Sequence, residues 1–214
     1  LGPPTLITRS IDQAINWSKN LPDRVVIKPW DGNGGRGVLV TRHNDPNFRS
    51  MLELLTENEN QHIVVQKHLP EISLGDKRII LIDGKAVGWM ARIPSETDHR
   101  GNMHVGATVE SFDLSTRDRF ICDAIGPTLN EMGLLFVGID IIGDCLTEIN
   151  VTSPTGICEI NPMMSLSIEK QIIDASLSFG DSDAILACLD LCGNVKDATG
   201  CELGTEGCRL LLVQ

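Results

Sequence analysis

The segment Ile27-Lys28-Pro29-Trp30-Asp31-Gly32-Asn33-Gly34-Gly35-Arg36-Gly37 ends an apolar run on a lysine and follows it with four glycines in six residues. Glycines let backbone amides approach a polyanion closely and adopt positive φ, and a lysine fixed at a strand end offers its charge to the same phosphates. Lys28 with Gly32, Gly34, Gly35 and Gly37 therefore reads as a phosphate cradle. It is not a Walker loop, which needs Gly-Lys-Ser/Thr opening a helix, nor a dinucleotide turn, which needs a helix directly after its glycines. The plainer alternative is a flexible hairpin connection with an incidental lysine.

Asp140, Glu148 and Asn150 form a second constellation on a pair of apolar runs that read as a hairpin. Glu148 and Asn150 are two apart and share a strand face, and hard oxygen ligands on one face suit magnesium bridging nucleotide phosphates. Asp140 joins them only if it pairs with Glu148, which demands an odd-length turn such as Gly143-Asp144-Cys145. A two-residue Gly143-Asp144 turn is expected to put Asp140 on the opposite face. The alternative is a hairpin with solvent-facing acids. The apolar Leu-Leu-Phe-Val-Gly-Ile run before Asp140 weighs against it, since a carboxylate there costs free energy unless paired or metal-bound.

Lys77, Arg78, Arg92 and Arg100, the last followed by Gly101 and Asn102, make a third set. The planar arginine fork suits carboxylate and phosphoryl oxygens, so together they form a candidate anion site, while each alone also fits an ordinary ion pair. His68 has no ligand partner at metal spacing and reads as structural or as part of a hinge. Trp17, Trp30 and Trp89 read as core or pocket wall, because the chain is acidic and only 4% aromatic.

These side chains need elements to carry them. Ser10 followed by Gln13 has the form of a capping box for a helix over 10–19. Strands are expected at 5–8, 24–28, 37–41 and 62–66, with a helix over 46–57. Two β-rich runs over 76–93 are joined by Asp83-Gly84, a strong hairpin signal. A polar loop over 94–106, a helix over 116–132 capped by Ser115, the hairpin 135–142 with 146–152, and a helix over 165–177 follow. The expected fold is α+β, a central, largely antiparallel sheet with helices to one side.

Composition limits the partners. The 214 residues, 42% hydrophobic, can bury a real core, and a formal charge of −11 leaves no basic surplus for nucleic acid or anionic lipid. No apolar run approaches the roughly 20 residues that span a bilayer. Nucleic acid and membrane are excluded as partners, and a cytoplasmic location is expected. The chain starts at Leu1 with no signal sequence and reads as a fragment or processed product. Seven cysteines without a Cys-x-x-Cys unit suit a reducing compartment as ordinary thiols. A zinc site from Cys188, Cys192, Cys201 and Cys208 is the alternative.

The strings KPWDGNGGRGV, LPEISLGDKRIILIDGKAVGWMARIP, RGN and above all IGPTLNEMGLLFVGIDIIGDCLTEINVTSPTGI resemble the bacterial glutathione synthetase family of the ATP-grasp superfamily. The resemblance implies an ATP-grasp fold, in which two α+β lobes sandwich ATP, and ATP-dependent ligation of γ-glutamylcysteine to glycine through an acyl phosphate. It gives Lys28 and the glycines to the phosphates, and Gln66, Lys67, His68 and Leu69 to a hinge whose backbone receives adenine. Asp76 goes to the ribose side, and Asp140, Glu148 and Asn150 to Mg2+ or Mn2+. It places Arg78, Arg92, Arg100 and Asn102 by the phosphoryl group, lets Ser153, Pro154, Thr155 and Gly156 line the substrate end, and makes residues 94–108 a closing lid. It further implies an ATP-grasp domain over residues 1–178, a divergent tail over 179–214, and a homo-oligomer when full length. The family's N-terminal substrate domain, which carries a first ATP-contacting lysine, is absent. Without it weak nucleotide binding and no turnover are expected. Another ATP-grasp peptide or amino-acid ligase, or a non-catalytic nucleotide-binding fragment, are the alternative readings.

Overall fold

The computed structural model describes residues 1–22, 24–31, 36–94, 108–152 and 154–178. The chain divides into two compact units, Leu1–Leu74 forming most of the first, Gly75–Ile93 with the residues from Thr108 on forming the second. The strands fall into two antiparallel sheets, one per unit, where the sequence suggested one central sheet. The α+β class and the antiparallel pairing are as expected.

In the first unit β1 (Thr5–Thr8), β2 (Arg24–Pro29), β3 (Leu39–Arg42) and β4 (Ile63–Lys67) pair in the order β1-β4-β2-β3. Alternation places Val25, Ile27, Ile63 and Val65 on one face, and α1 (Ile11–Ser18) and α2 (Phe48–Leu55) cover it with Ile11, Ala14, Phe48 and Leu52. The N-cap of α1 is half of the expected capping box. Ser10 accepts from the Gln13 amide at 3.5 Å, but the Gln13 side chain turns to the Thr8 hydroxyl, and that hydroxyl accepts the Ser10 amide at 3.0 Å. Trp17 packs on this core, whereas Trp30 is 58% exposed and is no core residue.

In the second unit β5 (Asp76–Ile82), β6 (Lys85–Ile93), β7 (Thr108–Glu110), β8 (Phe136–Ile142) and β9 (Cys145–Asn150) run in the order β7-β6-β5-β8-β9. The β5–β6 turn is the Asp83-Gly84 pair, both at positive φ (49° and 68°), as a two-residue hairpin of this hand requires. One face carries Ile79, Leu81, Val137, Ile139 and Ile141 against α3 (Thr116–Glu131), which Ser115 and Asp118 open with a complete capping box. The other face is partly covered by α4 (Ile157–Met164) and α5 (Ile168–Ser178): a Cβ on Gly88 would lie 2.7 Å from side-chain atoms of both Ile160 and Ile168. Trp89 packs on the α3 core and donates through Nε1 to the Phe112 carbonyl at 2.8 Å. Cys122 and Cys145 are free, while Cys158 is disulfide-bonded, which corrects the expectation of thiols throughout. The zinc candidates, the tail and residues 95–107 of the lid expected over 94–108 lie outside the described residues.

Candidate functional site

In the first unit Lys28 stands on the sheet face opposite the core. Because Val25 and Ile27 fill the α1–α2 face, alternation turns Lys28 the other way, opposite Val64, two pairs along from Val26 and Gln66. Lys28 and Gln66 therefore share the face that the helices leave open. Gln66 donates from its side chain to the Thr5 hydroxyl at 2.9 Å. Of the expected hinge amides, Lys67 donates to the Pro4 carbonyl at 3.0 Å and His68 to the Arg24 carbonyl at 3.2 Å, while Leu69 opens a single-turn helix through its carbonyl. Gly37, at φ 71°, lies against Pro29, where a Cβ would come within 2.9 Å of the proline ring. Gly32, Gly34 and Gly35 lie outside the described residues.

The second unit, by itself, has a charged sheet face. Asp140 stands opposite Arg78 on one side and Glu148 on the other, Gly138 opposite Asn150, and Asp76 opposite Arg92. Asp140, Glu148 and Asn150 thus share one face, but by a different route from the one expected. The β8–β9 turn is the two-residue Gly143-Asp144, with Ile142 paired to Cys145 and Ile141 to Leu146. A bulge at Thr147 then moves the ladder by one residue and brings Glu148 opposite Asp140. The Thr147 hydroxyl secures the bulge by donating to the Asp140 carbonyl at 3.1 Å.

Asp140 is 2% exposed and held by two arginines. Arg78 grips it in two-bond fashion, Nε to Oδ1 at 2.5 Å and Nη2 to Oδ2 at 2.9 Å, and Arg92 Nη2 reaches the same Oδ2 at 3.0 Å. Arg92 Nη2 also pairs with Asp76 Oδ2. Burial alone would raise the Asp140 carboxyl, but the hydrogen bonds and charges of Arg78 and Arg92 outweigh it and hold Asp140 below the usual carboxylate range. Asp76 goes the other way. Burial and then the Asp140 charge push it up to about 7 against the pull of Arg92 and Arg78. Asp76 Oδ1 and Arg92 Nε are buried without hydrogen-bond partners.

Arg78 has a third task. Its Nη1 donates to the Thr155 carbonyl at 3.0 Å, which fixes the Pro154-Thr155-Gly156 segment over the sheet face. The segment lies close: a Cβ on Gly138 would meet Pro154 at 2.7 Å, and one on Gly156 would meet Met90 at 2.7 Å. With three of its donor groups engaged and 5% exposure, Arg78 acts as a clamp in this structure rather than as an open anion receptor. Lys77, expected among the cations, points to the α3 face, where its ammonium pairs with buried Asp118 at 2.6 Å and lies 5.9 Å from the Phe112 ring centroid. Its place next to Arg78 in sequence forces this, because successive strand residues face opposite ways. Arg100, Asn102 and Ser153 lie outside the described residues.

Sequence reasoning missed Gly138 and Asp118. Gly138 had a legible signal, a glycine two residues before Asp140 and hence on the same face, where backbone must approach closely. For a divalent cation the donor set fits. Among the described residues no three His, Cys, Asp or Glu side chains gather as a metal group, so the set needs Asn150, whose amide nitrogen lies 3.5 Å from Asp140 Oδ2. Two carboxylates and an amide give all-oxygen ligation, the kind magnesium takes.

Comparison with known proteins bears on both units. The family model for the prokaryotic glutathione synthetase ATP-grasp domain matches residues 1–165. The chain is 44% identical over 175 residues to a glutathione synthetase of Agrobacterium fabrum, covering 82% of this chain and 54% of that protein. It is 46% identical over 174 residues to one of Pseudomonas aeruginosa, covering 81% and 55%. The chain thus spans about half the length of the curated relatives it matches. Among solved structures, that of the ATP-grasp ligase PsnB with a phosphomimetic variant of its minimal precursor, Mg and ADP aligns with a TM-score of 0.58 at 15% identity, over 84% of this chain and 54% of that one. At that identity the likeness establishes the fold alone.

Proposed function

As the chain belongs to the prokaryotic glutathione synthetase family through its ATP-grasp domain, we propose that the protein ligates γ-glutamylcysteine to glycine, converting ATP to ADP and phosphate. The dipeptide carboxylate takes the γ-phosphoryl group to form an acyl phosphate, and the glycine amine displaces the phosphate. Such chemistry needs positioning and charge neutralisation rather than a protein nucleophile.

The residues divide that work. Lys28 and the segment carrying Gly32, Gly34, Gly35 and Gly37 receive the phosphates, and Gln66 to Leu69 border the adenine. Asp140, Glu148 and Asn150 would hold Mg2+ or Mn2+, which would supply neutralisation of phosphate charge and polarisation of the transferring group. Arg92, with Arg100 and Asn102, faces the phosphoryl group and the substrate carboxylate. Arg78 keeps Thr155 and its neighbours registered to Asp140, so that Ser153, Pro154 and Gly156 border the substrate. Residues 94–108 close to exclude water, which the lability of an acyl phosphate demands. Asp76, assigned by resemblance to the ribose side, is bonded in this structure to Arg92. We assign the ATP-grasp domain to residues 1–178 and a divergent tail to 179–214, and we take the protein to be a cytoplasmic homo-oligomer that leaves nucleic acid unbound, in keeping with its −11 charge.

The observation that carries this reading is the register that sets Asp140, Glu148 and Asn150 on one sheet face. Phosphate release from Mg-ATP, followed in the full-length protein with γ-glutamylcysteine and glycine together and each alone, tests it. Release is expected to require both, and release that is indifferent to either substrate would assign the protein to another ligase or to a nucleotidase.

A further inference from the structure

The Arg92–Asp76 ion pair is half made. Arg92 Nη2 pairs with Asp76 Oδ2, while the two atoms that would complete a side-on, two-bond arrangement, Arg92 Nε and Asp76 Oδ1, are both buried and both without partners. Arginine and carboxylate normally complete such a fork when nothing prevents it. Here a competing claim is visible, because the same Nη2 also donates to Asp140 Oδ2 at 3.0 Å. One guanidinium nitrogen is divided between two carboxylates, and an unused donor and acceptor are left beside it. Buried polar atoms are seldom left so, and the pair therefore calls for a physical account.

The competing carboxylate is the one assigned above to the divalent ion. Its Oδ2 already accepts from Arg78 and from Arg92, with the Asn150 amide at 3.5 Å. A cation reaching that oxygen would meet the Arg92 charge, and the contact most easily given up is the one for which a second acceptor stands ready. Arg78 has no comparable alternative, since both bonds of its fork go to Asp140.

We infer that Asp76 is a positioning residue that receives Arg92 when Asp140 takes a divalent cation: the Arg92 contact with Asp140 Oδ2 is released, and Nε closes on Asp76 Oδ1 beside the existing Nη2 pair. The inference rests on reading Asp140 as a metal ligand. Before the metal binds, Arg92 compensates the buried carboxylate; afterwards it is held on the same sheet face and remains directed by Asp76. The exchange keeps every charge of the cluster paired in both states, which a buried site requires.

Nuclear magnetic resonance of the arginine side chains in the full 214-residue protein tests this, with the Arg92 Nε–H assigned through its own backbone so that no variant has to fold. Spectra are compared without ligand, with ADP alone, and with ADP plus Mg2+. The expected result is that Mg2+ with ADP moves the Asp140 and Glu148 amides and at the same time shifts the Arg92 Nε–H downfield and slows its exchange with water, while ADP alone leaves it in place. In Asp76→Asn the same addition is expected to give a smaller Nε–H shift, since a neutral oxygen accepts more weakly. Amide shifts at Asp140 and Glu148 with an unchanged Nε–H would overturn the exchange and leave the metal assignment standing. An Nε–H shift with ADP alone would show that the cation is not the trigger. Unmoved Asp140 and Glu148 amides would remove the metal assignment, and the exchange with it.

Discussion

Two arginines and Asp140 lie buried on one sheet face with the half-buried Asp76 beside them, and the two aspartates are not equivalent. Asp140 accepts a full arginine fork and a share of a second arginine, which keeps it ionised. Asp76 has only the shared nitrogen of Arg92, and burial raises its carboxyl to about 7. A carboxyl raised in the native state keeps its proton where the unfolded chain, near 3.8, has already lost it. Stability must therefore fall as pH rises between about 4 and about 7, by at most about 1.4 kcal/mol per pH unit. Asp140 works in the opposite sense and in a separate window, its contribution being lost only as pH falls below the ordinary carboxylate range. Asp76→Asn removes the titrating group without removing its volume. Urea midpoints measured from pH 4 to 7 should decline in the native protein relative to this variant, and parallel profiles would show that Asp76 ionises normally.

At the scale of elements, the β8–β9 hairpin shows what the sequence could and could not reveal. Both strands, the shared face of Glu148 and Asn150, and the need for Asp140 to pair with Glu148 follow from period-two alternation. The means of pairing did not, because a two-residue turn with a bulge and a three-residue turn without one give the same pairing downstream, and nothing in Cys145-Leu146-Thr147 marks the extra residue. The Asp83-Gly84 hairpin and the Ser115 cap were legible because their residue types answer a local demand, positive φ or an unpaired amide. Strand β7 escaped notice because Thr108–Glu110 is three residues long and gains its identity only from pairing with β6. Lys77 was grouped with the cations of the site because company in sequence was taken for company in space, although its neighbour Arg78 necessarily faces the other way. The bulge itself is testable. Removing Thr147 leaves Ile141 opposite Leu146 and Asp140 opposite Glu148 in a regular ladder, so the face is preserved at the loss of one hydrogen bond, about 1 kcal/mol. Calorimetry should find Mg2+-dependent ADP binding retained in the deletion, and its loss from a protein that still melts cooperatively would mean that the bulge, not the pairing, forms the site.

The described residues carry two cores, each closed by the helices of its own unit. Ile27 is fully buried among Val25, Phe48, Leu52, Ile63 and Val65, and Ile139 among Ile79, Ile121, Ile125 and Ile141. Each core fills one face of its sheet with apolar residues, so Lys28 and Asp140, which alternate with core residues along their strands, turn to the opposite face. Family membership spans both cores, whereas the relatives extend to about twice the length of this chain. Truncating either isoleucine to alanine should cost about 2–5 kcal/mol, the range for a large aliphatic side chain lost from a packed core. If each sheet draws its stability from its own cluster, the damage is local. Amide hydrogen exchange in Ile27→Ala should quicken first in β2 and β4, and in Ile139→Ala first in β5 and β8. Equal acceleration of both sheets by either substitution would show that the two cores open as a single cooperative unit, and the assignment of Lys28 and Asp140 to separately stabilised faces would then fail.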